Sequence, residues 1–74
     1  MSITEERLIR IILKHNNSMN FFDVMLKYEQ TFSGYGDSAA SLGCLENKGI
    51  VQEKNERLYV TPVVVAQWKA AGKL

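Results

Sequence analysis

Few side chains in this sequence could carry covalent chemistry. The one histidine, His15, has no cysteine, serine or acid at the spacing of a nucleophile and its base. At the end of a predicted helix it suits a cation that complements the helix dipole. The one cysteine, Cys44, would need cationic neighbours to become a reactive thiolate, and only Lys48, four residues on, is at hand. One cysteine and one histidine cannot build a zinc cluster. Glu5 and Glu6 read as helix-start residues rather than a catalytic pair, and the "GYG" at 34–36 is too short to cradle a phosphate. The expectation is a protein that is not an enzyme and uses no cofactor or metal.

Binding contacts are a better prospect. Lys54 and Arg57 flank the tip of a predicted hairpin, where cations commonly meet phosphates, with Glu53 and Glu56 alongside as an offset. Ser41 and Cys44 lie one turn apart on the outward face of a predicted third helix, and Lys48 follows them. That face suits contact with base edges or close approach of another backbone. Tyr35, between two glycines, could stack on a base or meet a partner, although a tyrosine folded over the core is the plainer reading. Arg7, Arg10 and Lys14 form a stripe at helical spacing that reads as a solvated face.

The elements that must position these residues follow from periodicity and punctuation. Ser2-x-x-Glu5 matches a capping box, in which serine and glutamate side chains each satisfy a free amide at a helix start. Behind it Leu8, Ile9, Ile11, Ile12 and Leu13 predict a helix from about Ile3 to His15. Its apolar arc is broad enough to suggest that part of it meets a second chain. Phe21, Val24, Met25 and Tyr28 share a face of a second helix, about Asn20 to Thr31. "SGYG" breaks the chain, and Asp37 or Ser38 can cap a third helix, about Asp37 to Asn47, that buries Leu42 and Leu45. Gly49 ends it.

After Gly49 the period falls to two. "IVQEK" and "RLYVT" flank Asn55-Glu56 and predict a β-hairpin. Asn-Glu turns less readily than Asn-Gly, which leaves room for a longer tip. Pro62 suits the first turn of a last helix, since its missing N–H costs nothing there. Trp68 in that helix is expected to pack against the first helix or a dimer mate.

Composition bounds the rest. Seventy-four residues make one domain, residues 1–74. A chain this short often completes its core at a partner's surface, so a homodimer through the first and last helices is expected. Net charge is +1 and the pI about 7.9, below the roughly 9 usual for nucleic-acid-binding domains. Acidic residues stand where a signal peptide would be basic, and no apolar run reaches the roughly 20 residues of a membrane span. With a free cysteine, this predicts a cytoplasmic location.

Three helices, a hairpin and a last helix are the element order of a winged helix-turn-helix. "LENKGIV" followed by "LYVTP" resembles the Leu-x-x-x-Gly-Leu-Val and Tyr-x-Leu-Thr-Pro signatures of small bacterial regulators of the MarR and PadR kind. The likeness covers most of the chain in layout and about twenty residues in motif. It implies an α+β winged-helix fold and a transcriptional regulator that binds double-stranded DNA. The third helix would enter the major groove and the wing would grip the backbone. The implied contact set is Tyr35, Ser38, Ser41, Cys44, Lys48, Lys54 and Arg57. Arginine, which makes a bidentate contact to guanine, is missing from the outward positions Asp37, Ala40, Ser41, Cys44 and Lys48. The link "TFSGYG" also exceeds the usual three- or four-residue turn. The alternative is therefore a winged-helix protein-interaction module, or an anti-regulator that does not itself bind DNA.

Overall fold

A computed structural model describes residues 1–32 and 38–74. Helix α1 spans Ile3–Lys14, α2 Phe21–Thr31 and α3 Ser38–Asn47. Strands β1 (Val51–Lys54) and β2 (Arg57–Val60) follow, then helix α4 (Pro62–Ala70). Among the described residues the protein is thus α+β, with four helices and one antiparallel hairpin in the order that the periodicity predicts. Tyr35 and Asp37 lie outside the described residues.

Local chemistry sets the ends of these elements. Ser2 and Glu5 form the capping box at the start of α1, and the Asn20 side chain accepts the Asp23 N–H at 2.7 Å to cap α2. At the end of α3, Gly49 has φ +75°, and the Ile50 N–H donates to the Leu45 carbonyl at 3.0 Å. That left-handed closure satisfies carbonyls that the helix would leave open. Asn16, at φ 55°, closes α1 in the same way, with the Asn17 N–H donating to Ile12.

The hairpin is tighter than the sequence suggested. Lys54 pairs with Arg57, so Asn55-Glu56 is a two-residue turn, with φ 52° and 62°. Both central residues at positive φ make the turn that matches the twist of the flanking strands. Beside β2 lies the segment joining α1 to α2. The Leu58 N–H donates to the Met19 carbonyl at 2.8 Å, and the Val60 N–H donates to the Asn17 side chain at 3.3 Å. This short segment thus satisfies the outer edge of β2, an edge that would otherwise expose its amides.

Helix α1 is the centre of the core. Leu8, Ile9, Ile11 and Ile12 are all buried, together with Leu42 and Leu45 of α3, Val51, Leu58 and Val60 of the hairpin, and Val24 and Tyr28 of α2. The breadth of its apolar arc is therefore used inside the chain, because helices pack on one side of α1 and the hairpin on another. Trp68 of α4 is buried as well, with the Arg10 guanidinium 5.0 Å from its ring centre. No helix among the described residues is long and apolar enough to cross a membrane.

Candidate nucleic-acid interface

The hairpin sorts its charges by face. Side chains alternate along a strand, and Val51, Leu58 and Val60 are the buried ones. With Val51 opposite Val60 and Glu53 opposite Leu58, Glu53 belongs to the inner face, beyond the edge of the core, where it is exposed. Gln52, Lys54, Arg57 and Tyr59 belong to the outer face. Lys54 and Arg57 are direct cross-strand partners, an arrangement that costs stability because like charges repel. The adjacent outer pair is neutral, with the Tyr59 hydroxyl donating to Gln52 Oε1 at 2.6 Å.

Arg57 also has a fixed position. Its Nη1 donates to the Ser18 carbonyl at 3.1 Å, which anchors the guanidinium against the segment between α1 and α2. A guanidinium has five N–H donors, so this contact leaves donors free for an anion. The outer face thus presents two adjacent cations with no carboxylate on its strands. The pairing of Glu53 with Lys54 along the sequence does not translate into proximity on one face.

Helix α3 offers a different surface. Ala39, Ala40 and Cys44 are exposed and Ser41 is half-buried. Ser41, Cys44 and Lys48 line a shallow groove with Ala40, Ser2 and Glu5. The structure therefore brings together three residues of the expected contact set, and adds the first turn of α1 to them. Ser38 is not on that surface. It is only 4% exposed, because the phase that buries Leu42 and Leu45 turns the position one turn before Leu42 inward as well.

Lys48, the basic residue at the end of α3, is not an independent charge. Its Nζ lies 3.2 Å from Glu5 Oε2, with the Lys48 side chain half exposed and that of Glu5 nearly covered. Glu5 Oε1 accepts the Ser2 N–H at 2.9 Å, so one carboxylate both caps α1 and ties it to the end of α3. The Ser2 N–H, opposed by burial and reinforced by Lys48, holds the Glu5 carboxyl below its ordinary value. Glu5 was legible as a capping residue, but its tie to Lys48 joins positions 43 apart in sequence and had no local signal.

The basic stripe of α1 is likewise engaged. Arg7 sits 4.3 Å from the centre of the Phe32 ring, and Arg10 lies over Trp68 while its Nη1 donates to the Lys73 carbonyl at 2.8 Å. These contacts give the two arginines packing roles, since a guanidinium over an aromatic face is attracted by the ring. Lys14 remains exposed. Among the described residues no group of three or more His, Cys, Asp or Glu side chains could hold a metal ion. No family model matches the chain, and neither a curated protein nor a solved structure matches it.

Proposed function

We propose that this protein is a small winged-helix DNA-binding regulator, in which the hairpin grips phosphates and α3 approaches the major groove. The observation that carries this reading is the Lys54–Arg57 pair on the outer face of the hairpin, separated from Glu53 by the strand's alternation. A lysine and an arginine at directly opposed positions of one exposed face suit an anionic partner. The segment beside β2, whose Met19 carbonyl accepts the Leu58 N–H, supports the winged-helix assignment. Small side chains on α3 permit close approach of a backbone. Without arginine there, binding would be dominated by phosphate contacts and discriminate weakly among sequences.

Fluorescence anisotropy with a mixed-sequence duplex tests this at two salt concentrations. Binding at about 50 mM salt that weakens steeply by about 200 mM is expected, as counterion release requires. Lys54→Glu with Arg57→Glu should abolish it while the fold persists. No binding at the lower salt would overturn the proposal. The neutral surface of α3, with Lys48 tied to Glu5, favours a second reading as a protein-interaction module on the same fold. A stoichiometric protein partner that protects Ala40 and Cys44 from solvent, without DNA binding, would establish that alternative.

A further inference from the structure

One lysine governs how the outward face of α3 meets an anion. The Lys48 N–H donates to the Cys44 carbonyl at 3.0 Å, which continues the last turn of α3. Lys48 therefore stands one turn beyond Cys44 and two beyond Ser41 on the same side of the helix. These three residues line one groove with Ala40, Ser2 and Glu5. The groove thus holds a single cation and a single carboxylate, and the two are paired, Nζ to Oε2, at 3.2 Å.

The two halves of that pair are not equally free. Glu5 is held from behind, since its Oε1 accepts the Ser2 N–H at 2.9 Å and only 9% of its side chain is exposed. Half of the Lys48 side chain is open to solvent, and its ammonium rides on a flexible four-carbon stem. The carboxylate is fixed at the start of α1 while the ammonium can swing away from it. A phosphate that approaches the groove meets a lysine already neutralised, and beside it a carboxylate that repels the newcomer.

Resting on the DNA-binding reading above, we propose that Glu5 competes with DNA phosphates for Lys48 and so keeps the grip of α3 weak. Lys54 and Arg57 then carry the first attachment. Helix α3 adds its cation only when Lys48 leaves Glu5. The neighbouring Lys73–Glu6 pair, at 3.6 Å, provides a contrast on the same helix, since neither residue lines the groove.

Fluorescence anisotropy of the full chain with the mixed-sequence duplex tests the proposal, with circular dichroism to show that each variant folds. Glu5→Gln should tighten binding by about tenfold at about 50 mM salt and steepen the salt dependence by one phosphate contact, a slope change of about 0.9. Glu5→Asp keeps a carboxylate at the helix start but shortens its reach, and should give a smaller gain of the same kind. Adding Lys48→Gln to Glu5→Gln should remove the gain. Glu6→Gln, which deletes the same charge one residue on, should fall well short of it. If the parent chain binds and neither Glu5 variant binds more tightly, the inference is overturned and the DNA-binding reading stands. An equal gain from Glu6→Gln, or a gain that survives Lys48→Gln, overturns it too. Absence of binding by the parent and by every variant overturns both.

Discussion

Helices α1 and α2 are nearly equal in length, at 12 and 11 residues, yet they use their apolar residues in opposite ways. Four aliphatic residues of α1 are buried, whereas in α2 only Val24 and Tyr28 reach that state while Phe22 and Leu26 face outward. The difference is one of position. Helix α1 touches α2, α3 and β2, so a broad apolar arc finds cover on several sides. Helix α2 packs against α1 and α3, and Phe22 and Leu26 on its other side stay exposed. Apolar content therefore reports how much of a helix wants cover, while the surrounding elements determine how much receives it.

Core truncation should break this contrast most visibly. Ile12→Ala is expected to cost about 2–5 kcal/mol, the range for removing a buried aliphatic side chain and leaving a cavity. Leu26→Ala should stay within about 0.5 kcal/mol, as surface substitutions do. Urea denaturation followed by circular dichroism measures both. Equal losses would mean that α2 is covered as fully as α1.

The helix starts sharpen the comparison at a smaller scale. Ser2→Ala and Asn20→Ala each remove a side-chain cap, which costs about 0.5–2 kcal/mol. Ser2→Ala should be the more damaging. The Ser2 hydroxyl helps to order Glu5, whose carboxylate also reaches Lys48, so its loss loosens a link between α1 and α3. Asn20 caps only its own helix. Chemical denaturation of the two variants in parallel decides this, and a greater loss for Asn20→Ala would contradict it.

The smallest effect is expected with pH. The folded-state pKa of Glu5 lies below its ordinary 4.5. Its ionised contacts therefore stabilise the fold above that value, and the contribution is lost as pH falls through the lowered pKa. Glu5→Gln should lower the urea midpoint at pH 7, and the gap to the parent chain should close as pH falls through the lowered pKa and Glu5 itself becomes neutral. A gap that persists unchanged in acid would assign the role of Glu5 to packing and not to charge.

Much of the framework was legible because its signals are local. The capping box at Ser2, the closure at Gly49, the change of period after it and Pro62 at the start of α4 each involve neighbours in sequence. Leu42 and Leu45 could be assigned to the core from helical phase alone. The candidate interface was legible only in outline. Lys54 and Arg57 were found as hairpin-tip cations, and Cys44 was correctly placed on the outward side of α3. Ser38 was expected among the contacts, although the helical phase that assigns Leu42 and Leu45 to the core turns it inward as well.

Composition and spacing by themselves determined the α+β class, the order of elements and the apolar core of α1, because each follows from contacts within a few residues. Tertiary structure alone decided that Glu53 and Lys54 belong to opposite faces of the hairpin, that Lys48 is tied to Glu5, and that α1 is covered while Phe22 and Leu26 of α2 are not. Those outcomes depend on which elements come to lie beside one another. Strand register and helix packing set them across long stretches of chain, where no local pattern of residue types carries the information.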